Sequence, residues 1–107
     1  MPVIEQNSSH ATLINVFTVE PDRAQELTDL LSHATAEVMQ HLPGFRSASI
    51  HKSTDRTRVV NYAQWDSAAS FFAMQADPAA REHMSAAAEI ASAFDPHLYT
   101  VESVHQK

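Results

Sequence analysis

Hydrophobic positions recur along the chain with two periods, one of two residues and one of about 3.6 residues. Residues 11–19 alternate, which places Leu13, Asn15 and Phe17 on one face of a predicted strand. Residues 45–52, 57–65 and 97–104 alternate in the same way and predict three more strands. Leucine and alanine recur at helical spacing from about residue 20 to residue 42, which predicts one amphipathic helix. A short helix over residues 68–74 and an alanine-rich helix from residue 78 to about residue 94 are predicted after the third strand.

Turn-forming residues separate these segments. Gly44 follows a proline at the end of the first helix, and Asp77 precedes a proline at the start of the last one. Asp95-Pro96 is predicted to end that last helix. The resulting order is βαββαβ, so we expect an α+β fold of the ferredoxin-like type. It has an antiparallel four-stranded sheet with the helices on one face, and a second copy of the chain is the economical cover for the other face. Residues 1–10 are predicted to be a flexible N-terminal arm, and residues 11–107 a single domain.

Composition narrows the classes of partner. The chain has 107 residues, a net charge of −6 and no basic stripe, which argues against nucleic acid and against an anionic membrane. It has no cysteine, so disulfides, thiolate nucleophiles and cysteine-bound metals are excluded. It has one glycine, which excludes glycine-rich phosphate-binding loops. The first ten residues do not resemble a secretory signal, and we expect a cytoplasmic protein.

The third predicted strand carries an amide and an indole on one face. Asn61 and Trp65 are four residues apart and point the same way, with only the methyl group of Ala63 between them. A flat aromatic wall beside a hydrogen-bonding group suits a pocket for a planar, partly polar molecule. The same residues are also compatible with an ordinary strand in which Trp65 belongs to the core.

The seven histidines do not form a metal-binding motif, and no metal site is predicted. His33, Glu37 and His41 share the helix face opposite the leucines, where solvated side chains are expected. His51 is predicted on the same face of the second strand as Phe45, either towards a pocket or as an ordinary strand histidine. No Gly-x-Ser-x-Gly sequence is present, which argues against a serine hydrolase.

Three short stretches of the chain resemble a known family. They are residues 42–45 (Leu-Pro-Gly-Phe), 53–55 (Ser-Thr-Asp) and 59–67 (Val-Val-Asn-Tyr-Ala-Gln-Trp-Asp-Ser). The chain resembles the antibiotic biosynthesis monooxygenases from about residue 11 to residue 104, and most closely the quinone-forming anthrone and actinorhodin-type members. The resemblance implies a homodimer with a dimeric α+β barrel. It also implies oxidation of a polycyclic aromatic polyketide, an anthrone or a phenol, to a quinone by O2 with no flavin, haem or metal cofactor.

The resemblance also assigns residues. Asn15 and Asn61 are expected to stabilise developing negative charge on oxygen, and Trp65 to form the pocket wall with its indole N–H as a donor. These three are the predicted catalytic residues. The residues predicted to bind the substrate are Phe17, His51, Phe71, Met74 and His83.

At two positions the chain departs from the pattern of these relatives, which leaves alternative functions open. Phe71 stands where an actinorhodin-type enzyme carries a tyrosine, and His83-Met84 stands where that enzyme carries an arginine. A non-catalytic, dimeric ligand-binding domain of the same fold is therefore an alternative. Haem degradation is a weaker one, because Asn15 matches those relatives whereas Met74 and Met84 fall where they carry a tryptophan and an axial histidine. Oxygen uptake with an anthrone discriminates between catalysis and binding.

Overall fold

The computed structural model describes residues 2–6 and 9–107 and contains four strands. They are β1 (Ala11–Thr18), β2 (Phe45–Lys52), β3 (Arg58–Trp65) and β4 (Ala93–Tyr99). They form one antiparallel sheet in the order β2-β3-β1-β4. This order confirms the predicted ferredoxin-like α+β fold.

Three α-helices connect the strands: α1 (Ala24–Glu37), α2 (Ala68–Ala76) and α3 (Pro78–Ile90). Short 3₁₀ turns, Pro21–Arg23 and Met39–His41, precede and follow α1. The carboxylate of Asp77 accepts a hydrogen bond from the Ala80 N–H at 3.0 Å, so Asp77 ends α2 and begins α3. α1 packs on α3 and also contacts β2 and β3, and α2 contacts β3.

The core between helices and sheet consists of two separate clusters of buried side chains. Asn15 and Asn61 face each other across β1 and β3, so a polar pair interrupts the apolar face of the sheet between the clusters. One cluster contains Leu13, Ala63, Trp65, Phe71, Met74 and Ala80; the other contains Phe17, Val19, Ala24, Leu27, Val59 and Ala87.

The turn into β2 requires a glycine at position 44 for two independent reasons. Its φ is +84°, a left-handed conformation that side-chain-bearing residues rarely adopt. A Cβ atom at this position would also overlap the side chain of Ser70 in α2. Its carbonyl accepts the Asp66 N–H at 2.7 Å, which ties the turn to the end of β3.

The boundary between the last helix and the last strand was wrong in the sequence-based prediction. α3 ends at Ile90, not near residue 94, and β4 covers Ala93–Tyr99 in place of residues 97–104. Pro96 therefore lies inside a strand that it was expected to precede. The reason is that β4 pairs only with β1, and an edge strand tolerates a residue without an N–H donor.

The predicted flexible arm is only partly described. Met1, Asn7 and Ser8 lie outside the described residues, and the other residues before Ala11 form no helix or strand. In the described part of the chain, no helix is both long enough and apolar enough to cross a membrane.

Candidate active site

A cavity of about 190 Å³ lies between the helix-facing side of the sheet and the three helices. Both core clusters contribute to its wall, and most of the lining side chains are apolar. The polar side chains of its lining are Asn15, Thr35, Asn61, Trp65, Gln75 and His83.

Asn15 and Asn61 are directly opposed in the antiparallel register of β1 and β3. The Asn15 amide oxygen accepts the Asp95 backbone N–H at 3.2 Å, which fixes the orientation of the amide against β4. Its NH₂ group makes no hydrogen bond within the described part of the chain. The amide oxygen of Asn61 is buried and has no hydrogen-bond partner there either.

Trp65 belongs to both the core and the cavity wall. Its side chain is 2% exposed, and its ring lies edge-on to Phe45 at 5.4 Å and to Phe71 at 6.5 Å between ring centroids. These contacts hold the indole in one position. Its Nε1–H is nevertheless buried without an acceptor among the described residues.

Buried polar atoms without partners are rare in folded proteins, because each one costs roughly 1–3 kcal/mol. Here two such atoms, Asn61 Oδ1 and Trp65 Nε1, belong to residues of one cavity wall. A bound molecule that supplies a donor and an acceptor recovers that free energy. The arrangement is therefore that of a candidate ligand site.

The polar groups indicate what this site could do chemically. The Asn15 NH₂ group and the Trp65 N–H are hydrogen-bond donors, and the Asn61 amide carries donors as well as an acceptor. Around them the wall is apolar, which strengthens their interaction with any negative charge that develops on a bound oxygen atom.

The structure brings most of the predicted substrate-binding residues to the cavity. Phe17, Phe71, Met74 and His83 all line it. His83 comes from α3, and its ring lies edge-on to that of His33 on α1, with 6.1 Å between the ring centroids.

His51 is the exception, and the face predicted for it was wrong. A bulge between Phe45 and Ser47 shifts the register of β2 against β3. Phe45 therefore shares the face of Trp65, whereas His51 pairs with Val60 on the other face and is exposed. His51 does not line the cavity.

Phe94 and Pro96 also line the cavity, and the sequence pattern did not predict either of them there. Phe94 lies in β4, 6.3 Å from Phe17 between ring centroids. The alternation of Phe94, Pro96 and Leu98 was the signal for this strand face, and the proline concealed it. Within residues 2–6 and 9–107, no three histidine, aspartate or glutamate side chains come together as metal ligands would.

Fold and site together define a small ferredoxin-like domain with an apolar cavity that contains a few polar groups. The model of the antibiotic biosynthesis monooxygenase family matches residues 11–86, and the chain belongs to that family. It is a monooxygenase.

Two relatives make the likeness specific. The chain is 47% identical over 83 residues to the tetracenomycin-F1 monooxygenase of Streptomyces glaucescens, covering 78% of this chain and 74% of that protein. The structure of the ActVA-Orf6 monooxygenase of Streptomyces coelicolor, in complex with nanaomycin D, superimposes with a TM-score of 0.83 at 29% identity. That match covers 92% of this chain and 93% of the other.

A third likeness concerns the fold. SnoaB, a cofactor-independent oxygenase from Streptomyces nogalater, superimposes with a TM-score of 0.82 at 22% identity, covering 94% of this chain and 100% of that one.

Proposed function

We propose that this protein oxidises a polycyclic aromatic polyketide of the anthrone or phenol type to a quinone, with O2 and without a cofactor. One observation carries the proposal: two buried, unpartnered polar atoms, Asn61 Oδ1 and Trp65 Nε1, belong to the wall of an apolar cavity. The 47% identity to a tetracenomycin-F1 monooxygenase supports the same substrate class.

The reaction needs no group beyond substrate, O2 and protein. For an anthrone methylene it is R₂CH₂ + O₂ → R₂C=O + H₂O. Loss of a proton from the methylene leaves an electron pair delocalised over the aromatic rings. The anion transfers an electron to O2, and the two radicals combine to a peroxide on the same carbon. Protonation of the peroxide and loss of the second carbon-bound proton break the O–O bond, which yields the ketone and water.

The proposed role of the protein is to stabilise the anionic states of this sequence. The donors of Asn15 and Trp65 and the amide of Asn61 bind the substrate oxygen that carries the delocalised charge. The apolar walls exclude water, which keeps the charged and radical species together.

Phe71 motivates the second candidate, a ligand-binding domain without activity. Its ring packs against Trp65 and offers no hydroxyl group. We favour catalysis because the donors that an oxyanion requires are supplied by Asn15 and Trp65, so a tyrosine at position 71 is not needed.

We also propose a homodimer, located in the cytoplasm. The sheet face opposite the helices carries Ile14, Val16, Val60 and Tyr62, all of which are partly exposed. A second copy would bury these side chains. Light scattering tests this: the wild type is expected at twice the monomer mass and Val60→Glu at the monomer mass, whereas a monomeric wild type would contradict the proposal.

Oxygen consumption by purified, chelator-treated protein with emodin anthrone tests the function. We expect uptake above a boiled control, with one O2 consumed per quinone formed and no loss of rate with excess EDTA. A spectral change of the anthrone without oxygen uptake would favour the binding domain. A rate that disappears on chelation and returns with one metal, or that requires added haemin, would refute cofactor independence.

A further inference from the structure

The cavity has one feature that the proposed roles of the asparagines and Trp65 leave unused. Among the described residues that line it, His83 is the only one with an imidazole, the side chain that serves most often as a general base, and none of the others is acidic or basic. The proposed reaction begins with removal of a proton, and neither an asparagine nor an indole can accept one. We propose that His83 is the general base, and that His33 is a positioning residue that orients the His83 ring. This inference rests on the proposed function.

The phase of α3 directs His83 to the cavity. Ala80 and Ala87, three residues before and four residues after it, are buried at 0% and 2% exposure. Residues at this spacing share one helix face, and the two methyl groups leave room beside the imidazole. Asp77 caps the start of α3 through the Ala80 N–H, and the burial of Ala80 and Ala87 sets which face of the helix turns to the cavity.

His33 provides the only aromatic contact that the described residues make with His83. The two rings meet at 68°, and His33 itself is exposed on α1. An edge-on neighbour restricts rotation of the His83 ring, and so favours one direction for its basic nitrogen. A positioned base requires this, because proton transfer needs hydrogen-bond distance to the substrate.

Few other charged groups surround this pair. α1 carries Asp29 and Glu37 about one turn on either side of His33, and α3 carries Arg81 and Glu82 directly before His83. α2 has no ionisable side chain. None of these four charged residues lines the cavity, so none of them competes with His83 for the substrate proton.

In the proposed step, one ring nitrogen of His83 takes a proton from the substrate, and the electron pair of the broken C–H bond stays on the substrate. The imidazolium then returns the proton to the peroxide oxygen. His83 therefore ends the turnover neutral, and the overall balance is the one written above for O2, quinone and water.

Four variants test this: His83→Gln, His33→Ala, His33→Phe and, as a matched surface histidine, His41→Gln. Binding of the quinone product is followed by quenching of Trp65, the single tryptophan. Turnover is followed by oxygen uptake at one fixed pH, with ordinary and methylene-deuterated anthrone.

We expect His83→Gln to lower kcat/KM about a hundredfold or more and to raise the deuterium isotope effect, because removal of the substrate proton becomes slower, while the Kd of the product changes less than about threefold. His33→Ala is expected to lower kcat several-fold, and His33→Phe to restore most of it because it keeps the ring contact. His41→Gln should behave as wild type.

His83→Gln with at least a third of wild-type kcat/KM, or with an unchanged isotope effect, would overturn the assignment of the base. Equal rates for His33→Ala and wild type would overturn the positioning role. If the wild type binds the quinone but consumes no oxygen, the proposed function itself is refuted, and the proposed role of His83 is refuted with it.

Discussion

Replacing Asn61 by leucine should make the protein more stable and less active. The Asn61 amide oxygen is buried without a partner, and such an atom destabilises the folded state by roughly 1–3 kcal/mol. Leucine has a similar branched shape and no polar atom, and the adjoining cavity has room for it. We expect a gain of about 1–2 kcal/mol in the free energy of unfolding, which corresponds to a rise in Tm of roughly 5–10 °C for a domain of this size.

The same change removes a polar group from the proposed oxyanion site. Loss of one such group lowers kcat by roughly a hundred- to a thousandfold in other enzymes. The assay is oxygen uptake with emodin anthrone, paired with thermal unfolding at one fixed protein concentration, because Tm depends on concentration if the protein is a dimer.

Thr28→Val is the matched control. The Thr28 hydroxyl is partly buried but donates to the Ala24 carbonyl at 2.8 Å, and Thr28 does not line the cavity. The Thr28→Val variant should therefore show no gain in the free energy of unfolding and no loss of activity. If Asn61→Leu destabilises the protein instead, the amide has a bonding partner and the argument from unpaired burial is refuted. If the activity is unchanged, Asn61 has no part in catalysis.

Three further predictions concern the wall, the turn and the surface. Trp65→Phe keeps an aromatic ring but loses the indole donor, so kcat should fall tenfold or more, with the quinone still bound by absorbance titration. Gly44→Ala forces a left-handed alanine against Ser70 and should reduce stability by about 2 kcal/mol or more in thermal unfolding, an effect that Ser70→Gly should partly reverse. Hydrogen bonds from the Thr57 hydroxyl, the Thr57 N–H and the Ser53 hydroxyl lower the pKa of Asp55 from 3.8 to about 2. Asp55 therefore stabilises the fold above pH 4 and loses this effect as the pH falls towards 2, so the difference in free energy of unfolding between wild type and Asp55→Ala should shrink over that interval; a constant difference would contradict this.

Local pattern was sufficient for the parts of the site that lie on one strand. Asn61 and Trp65 share a face because the period of any strand is two, and no information from elsewhere in the chain is needed. The existence and order of the three helices and of the first three strands were predictable from their own periods, although α1 ends at Glu37 and not near residue 42. That Asn15 opposes Asn61 depends on the pairing register, which is a property of the assembled sheet.

The two wrong predictions have non-local causes. Pro96 was read as a strand breaker, but its tolerance depends on the edge position of β4, which the segment itself does not encode. His51 was assigned to the wrong face because one bulge after Phe45 inverts every later side chain of β2. As a result, His51 was wrongly predicted to line the cavity, and Phe94 and Pro96 were not predicted there. The predicted fold was nevertheless correct.

The division of the core explains how a domain of this size tolerates unpaired polar atoms. Each end of the sheet has its own apolar cluster, anchored by Trp65 at one end and by Leu27 and Val59 at the other. These clusters provide the stability, and the Asn15–Asn61 pair between them reduces it. Stabilising substitutions at this central pair should therefore lower activity, whereas substitutions that improve packing within the cluster of Leu27 and Val59, away from the cavity wall, should raise stability and leave turnover unchanged.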